Sequence, residues 1–410
     1  MLKFLSLPFS SSPAQLAVSN SEFRQLASTA EQNLYNIAFQ PISDLYTLSF
    51  FDTETTKFDD TDKLKFLHTV KCTPKPQKPS SPLPTSKIPL VLLHGYGNGI
   101  GYFSRMVAPL SDRFPSGVFA VDLPGFGLSS RFQGFPPTSP PSSSPSTVSN
   151  VKAAEDYFVD ELEVWREKNK IPKMVLCGHS LGGYLSVAYC EKYPDRVDKL
   201  VLLSPVGVPE LDPEEEEKKM KTMSWKFFLA IKTFRRLWNM NVTPMQVIRG
   251  MGEERGRGIV GGYVGRRLKI DCVEEREALT DYSYGISMLP GAGEFSLQRL
   301  LQAGAYAIVP LKSRIPKCEV EEVNFIYGER DWMDYTWGLK VREFLTAKRE
   351  GKGGGGGGGV KNANVYRVKE AGHLLVLENP RGTVEAILDS VFGKRTDTVG
   401  GTDNEFYNKF

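Results

Sequence analysis

Short, nearly unbroken apolar runs recur along the chain, and most end at a glycine, serine or turn. Ile88–His94, Val118–Leu123, Lys173–Cys177, Leu200–Leu203, Val323–Tyr327 and Val365–Val368 are the clearest. Runs of this length without polar alternation predict strands buried on both faces, as in a parallel sheet. Val151–Lys168, Leu181–Lys192 and Thr383–Phe392 carry apolar residues at helical spacing instead. Strands alternating with helices predict an α/β fold with a mostly parallel, doubly wound sheet.

The alternation stops between Pro205 and about Lys317, where helical, glycine-rich and basic stretches take over. This segment reads as a helical cap inserted over the carboxyl edge of the sheet. Residues 73–87 and 136–149 are rich in proline and serine and read as exposed loops, as does the glycine run Gly353–Gly359. The expected organisation is an extension with leading strands over 1–85, the first half of the core over 86–205, a cap over 206–317, the second half over 318–395, with a glycine-rich loop at 351–359, and a flexible tail over 396–410.

Composition narrows the partners. The 410 residues are 40% hydrophobic, enough for one large core, and the net charge of +3 gives no case for nucleic acid. Cys72, Cys177, Cys190, Cys272 and Cys318 are scattered and odd in number, which argues against a disulfide framework or zinc site and for a reducing, intracellular compartment. No metal or redox cofactor is implied. The amino terminus lacks a secretory pattern; it reads as a flexible terminus, with a mitochondrial transit segment as the alternative. No run approaches the ~18 apolar residues of a membrane span.

The strongest chemical signal is Gly178-His179-Ser180-Leu181-Gly182, which leaves a buried strand and opens a helix. A serine on so sharp a turn needs small flanking residues, and the helix amino terminus points N–H groups at it. Ser180 is the expected nucleophile, with Gly178, His179 and Gly182 supporting the elbow. A serine hydroxyl needs a base. Among four histidines, His373 follows the last strand and is the candidate. Asp331, after the fifth strand, is the carboxylate expected to fix its tautomer, with Asp334 as the alternative. The loop after the first core strand, His94-Gly95-Tyr96-Gly97, should supply one oxyanion donor from the Tyr96 amide, and the Leu181 amide the other.

Several motifs together resemble one group of proteins. They are Leu92-Leu93-His94-Gly95-Tyr96-Gly97, Asp122-Leu123-Pro124-Gly125-Phe126-Gly127, Gly178-His179-Ser180-Leu181-Gly182-Gly183-Tyr184, Leu203-Ser204-Pro205-Val206-Gly207 and Tyr327-Gly328-Glu329-Arg330-Asp331-Trp332-Met333-Asp334. The group is the phospholipid-acting abhydrolases of the α/β-hydrolase fold. It includes lysophospholipases acting on N-acylphosphatidylethanolamine, a cardiolipin-specific deacylase and proposed lysophosphatidate acyltransferases. Asn241-Val242-Thr243-Pro244 and Tyr282-Ser283-Tyr284 extend the resemblance into the cap. It implies a phospholipid or lysophospholipid ester as substrate, with Ser180, Asp331 and His373 as the triad. Relatives carry His-x-x-x-x-Asp from the catalytic histidine, where this chain has Glu378. Glu378 therefore reads as a surface or helix-start residue, and acyl transfer stands as an alternative to hydrolysis. A non-catalytic lipase co-activator at a membrane or lipid droplet is a further alternative.

The cap carries its own lipid signal. From Lys226 to Lys269 there are ten Lys or Arg and two acids. Phe227, Ile231, Phe234 and Trp238 share a helical face, flanked by Lys232, Arg235 and Arg236. An aromatic face with a cationic flank is the pattern of a helix in an anionic membrane interface, and equally of a stripe packed on the core.

Overall fold

The computed structural model describes residues 13–57, 64–76, 84–131, 148–212, 214, 225–350, 359–393 and 406–409. Most of the proline-serine segment 136–149, nearly all of the glycine-rich loop 351–359 and most of the tail 396–410 lie outside them.

The runs read as buried strands form the middle of a sheet: β3 (Leu90–Leu93), β4 (Val118–Val121), β5 (Met174–His179), β6 (Val197–Leu203), β7 (Glu322–Gly328) and β8 (Asn362–Val368). These pair in parallel in the order β4-β3-β5-β6-β7-β8. Every residue of β3 and β4 is buried, because helices cover both faces. An antiparallel hairpin of β1 (Tyr46–Lys57) and β2 (Leu64–Pro74) extends one edge by pairing β2 with β4. At the other edge β9 (Tyr407–Lys409), within the expected tail, pairs antiparallel with β8.

Two apolar clusters sandwich the sheet. One holds α3 (Val148–Lys168), α4 (Leu181–Lys192) and α10 (Thr336–Arg349), with Trp165 fully buried and its Nε1–H donating to Thr69 Oγ1 at 2.9 Å. Burying a side chain of Leu or Phe size contributes about 1.5–3 kcal/mol, so such layers dominate the stability. The opposite cluster holds α1 (Pro13–Phe39), α2 (Val107–Ser111) and α11 (Pro380–Phe392).

Helix α1 is the main departure from the expected flexible terminus. Ala27, Ala30 and Leu34, spaced by three and four, form its buried face. Their partner is the cap. The cap's helices are α5 (Trp225–Asn239), α6 (Pro244–Gly250), α7 (Glu253–Arg267), α8 (Val273–Met288) and the short α9 (Leu297–Leu300). Helix α8 lies against α1 so closely that a Cβ on Gly285 would be 2.9 Å from Ala27 Cβ. Buried Tyr282 and Tyr284 seat α8 in the core. Helix α6 starts on a reciprocal capping box: Thr243 Oγ1 accepts from the Gln246 amide at 3.1 Å, and Gln246 Oε1 accepts from the Thr243 amide at 2.9 Å.

Candidate active site

The sheet's parallel strands all end at one edge, and the residues singled out by sequence converge there. Ser180 sits between β5 and α4 with φ 55° and ψ −113°. A non-glycine residue at positive φ is strained, and close packing holds it there. A Cβ on Gly182 would lie 2.5 Å from the Leu93 carbonyl oxygen, and one on Gly178 would overlap the Gly182 backbone. Glycine at both positions lets α4 start close against β3 and β5.

His373 follows β8 and Asp331 follows β7. His373 Nε2 is 3.0 Å from Ser180 Oγ, and its Nδ1 is 3.0 Å from Asp331 Oδ1. With the proton on Nδ1, the ring donates to Asp331 and Nε2 is left to accept from the serine hydroxyl. Burial works to raise the Asp331 carboxyl, but the His373 ring, the Ser204 hydroxyl and the Met333 amide together hold it below its ordinary value. Asp331 Oδ1 also accepts the Met333 amide at 2.9 Å. Asp334 is elsewhere: it is exposed and accepts the Thr336 amide at 2.9 Å, at the start of α10.

The loop after β3 is stapled to the loop after β4. Asp122 Oδ1 accepts the Ile100 amide at 2.7 Å, and its Oδ2 accepts the Leu128 amide at 2.6 Å. His94 Nδ1–H donates to the Gly95 carbonyl at 2.8 Å, and Nε2 accepts the Leu123 amide at 2.9 Å. Burial pushes His94 down to about 4. His179 is pushed down to about 3 by burial and then by the His373 ring, and its Nε2–H donates to the His373 carbonyl at 2.8 Å. Both are neutral struts rather than proton carriers. A Cβ on Gly95 would be 3.0 Å from both His179 Nδ1 and Ser180 Cβ, so that loop lies directly beside Ser180. Among the described residues, no backbone or side-chain acceptor takes the amides of Tyr96 and Leu181. The Tyr96 hydroxyl reaches the other way and donates to the Glu294 carbonyl at 3.1 Å.

Ser180 is only 7% exposed under the cap. Trp332, by contrast, is 58% exposed with its ring 5.0 Å from that of His373, and so marks where the site meets solvent. Among the described residues, no group of three or more His, Cys, Asp or Glu is placed to hold a metal ion.

The aromatic stripe, read as facing either a membrane or the core, meets the core at Trp238. Trp238 turns inward onto the core cluster of α3 and α4, and its carbonyl accepts from Gln298. Ile231 is half-buried, and the side chains of Phe227 and Phe234 lie outside the described residues. Lys232 and Arg236 are exposed and Arg235 is half-buried. The exposed apolar residues of the cap are others: Trp225, Leu237, Met240, Met251, Ile259 and Tyr263 among them. Among the described residues, no helix is long and apolar enough to cross a membrane. Glu378, read as a surface residue, is instead largely buried beside the His373 loop, with its side chain 12% exposed.

A strained serine elbow after the third parallel strand of the series, an acid and a histidine after later strands, and this strand order define a class. The chain belongs to the α/β-hydrolase family; the family pattern described as alpha/beta hydrolase fold matches residues 88–237. Within it, the chain falls among the phospholipid-acting abhydrolases. It is 32% identical over 265 residues to a (lyso)-N-acylphosphatidylethanolamine lipase of Homo sapiens, covering 64% of this chain and 70% of that one. It is 30% identical over 305 residues to a probable 1-acylglycerol-3-phosphate O-acyltransferase of Oryza sativa subsp. japonica, covering 73% of this chain and 66% of that one. The chain thus spans just under two thirds of the length of the rice protein. A carboxylesterase from Bacillus subtilis has the same fold, with a TM-score of 0.51 and 18% identity, covering 92% of this chain and 99% of that one.

Proposed function

We propose that the protein is a serine hydrolase cleaving acyl esters of glycerophospholipids or lysophospholipids through an acyl-enzyme. The observation that carries this is the pair of 3.0 Å contacts linking Ser180, His373 and Asp331. Ser180 Oγ attacks the ester carbonyl while His373 Nε2 takes its proton. Asp331 holds the ring in the tautomer that can do so and stabilises the imidazolium that forms. The amides of Tyr96 and Leu181 receive the oxyanion. His373 returns the proton to the departing lysolipid oxygen. Water, activated by the same histidine, then releases the fatty acid and restores Ser180.

The lipid substrate is supported by the names of the relatives and by the cap. The cap exposes Leu237, Met240, Ile259 and Tyr263 within Lys226–Lys269, a stretch with ten Lys or Arg and two acids, which suits peripheral docking on an anionic membrane or lipid droplet.

A second reading, acyl transfer to lysophosphatidic acid, is favoured by the low exposure of Ser180, since exclusion of water lets a bound alcohol compete for the acyl-enzyme. The intact Ser180, His373 and Asp331 weigh against a purely non-catalytic co-activator. The test is wild-type protein and Ser180→Ala on a panel of phospholipids and lysophospholipids, with and without acyl-CoA. Fatty acid release by wild type alone is expected. Equal behaviour of the two proteins sinks the hydrolase reading, and acyl-CoA-dependent lipid product without free fatty acid replaces it with the transferase.

A further inference from the structure

The acidic residue five positions after His373 does not point toward the substrate side of the site. It turns back onto the loop that carries the histidine. Glu378 Oε2 accepts the Gly372 amide at 2.6 Å, and Oε1 accepts the Leu374 amide at 3.3 Å. One carboxylate therefore grips the backbone on both sides of His373. From the other direction, His179 Nε2–H holds the His373 carbonyl at 2.8 Å.

The other contact to Glu378 comes from the cap. Arg267, the last residue of α7, places Nη2 3.2 Å from Glu378 Oε1. Gly372 leaves room for this approach: a Cβ there would be 2.8 Å from Arg267 Nη2 and 3.0 Å from Glu378 Oε2. Both carboxylate oxygens are thus engaged, which leaves Glu378 poorly placed to receive a proton from an acceptor alcohol.

We propose that Glu378 is a positioning residue for His373, and that Arg267 makes its hold depend on where the cap sits. This rests on His373 acting as the base. A carboxylate bound to two amides fixes the backbone, and a guanidinium beside it holds that carboxylate in orientation. When the cap shifts on a lipid surface, Arg267 leaves, the grip on Gly372 and Leu374 loosens, and the histidine changes its distance to Ser180. The ion pair is in this way a mechanical link from the cap to the proton-transfer step.

The experiment measures two things on the full chain, with Glu378→Ala, Glu378→Gln, Arg267→Ala and the double variant. One is hydrogen exchange at the amides of Gly372 and Leu374. The other is kcat and KM on a soluble p-nitrophenyl ester. Displacing a catalytic group by an ångström can cost about 100-fold in rate, so Glu378→Ala is expected to lower kcat about 10- to 100-fold with KM little changed. Exchange at both amides accelerates in parallel. Glu378→Gln, which keeps one acceptor and the shape, falls between and covers the case that alanine does not fold. Arg267→Ala gives a smaller loss that disappears in the Glu378→Ala background, because the two act through one contact. Unchanged exchange in the Glu378 variants overturns the positioning role, as does a kcat within about twofold of wild type. Arg267→Ala losses that multiply with those of Glu378→Ala overturn the link to the cap. If no protein cleaves any ester, the hydrolase reading fails, while exchange still decides whether Glu378 and Arg267 hold the loop.

Discussion

Tyr282 Oη accepts the Gly101 amide at 3.2 Å, tying cap helix α8 to the loop that runs on from Tyr96. The ring lies so close that a Cβ on Gly101 would be 2.7 Å from its Cε1. Phenylalanine would keep the ring and strand a buried amide, at about 1–3 kcal/mol. Tyr282→Phe is expected to lose that much in denaturant unfolding. A midpoint equal to wild type means that the amide finds another acceptor.

Asp331→Asn tests the acid without removing bulk. It is expected to lower kcat by about 10⁴-fold, because the ring loses the partner that sets its tautomer. A stability change accompanies it. The folded carboxyl sits below its ordinary value, so its stabilisation is full above that ordinary value and is lost as pH falls through the lower folded one. Acid unfolding below about pH 4 should therefore be shallower in the variant than in wild type.

His68 gives the opposite sign. Burial lowers it, but hydrogen bonds to Asp52 and Glu31 overcome that and raise it to about 10. Its ring bridges β2 to α1, with Nδ1 2.6 Å from Asp52 Oδ1 and Nε2 2.9 Å from Glu31 Oε1. The stabilisation is complete below the unfolded value of about 6.5 and is lost as pH rises through about 10. Thermal melts of wild type should fall between pH 7 and 10, and His68→Gln should flatten that fall. Parallel curves would mean that His68 does not carry the fall.

Gly182→Ala confronts two backbone oxygens, with Leu93 O at 2.5 Å and His94 O at 2.6 Å from the new Cβ. Backbone yields less than a side-chain tip, so the cost should meet or exceed the 1–3 kcal/mol typical of overpacking. Loss of soluble expression, or a large fall in melting temperature with loss of activity, is expected. Near-wild-type melting would show that α4 can slide.

Reversing charge at Lys232, Arg235 and Arg236 should weaken sedimentation with anionic liposomes. Each basic residue near such a surface contributes about 1 kcal/mol, so simple removal of the three would cost about 100-fold, and reversal more. Binding to neutral liposomes should change little. Equal binding to both surfaces would place α5 away from the lipid.

The parallel core was legible because β3 and β4 are buried throughout and β5 to β7 over most of their length, which leaves mostly apolar residues there. The elbow was legible because its glycines answer a steric demand that sequence states directly. Asp331 was preferred to Asp334 from sequence, but both follow β7, and only in three dimensions does one of them reach His373. Helix α1 was missed because its buried face uses alanines, which α8 requires for close approach and which carry little hydropathy signal. Thr243-Pro244-Met245-Gln246 contained a readable capping box, and Ala27-Ala30-Leu34 a readable period. Trp238 could be assigned to core or membrane only in three dimensions, because periodicity defines a face but not what that face meets. Glu378 gave no sign of where it sits, because two of its partners are backbone amides and the third, Arg267, is distant in sequence.

Strand β9 places Tyr407 opposite Val368 at the outer rim of the sheet. A bare β8 would offer a row of free donors and acceptors to any passing strand, including one from another copy. Residues 407–409 cover that row and leave only a three-residue strand at the rim. A tag or truncation there would be felt first as aggregation, before any loss at Ser180.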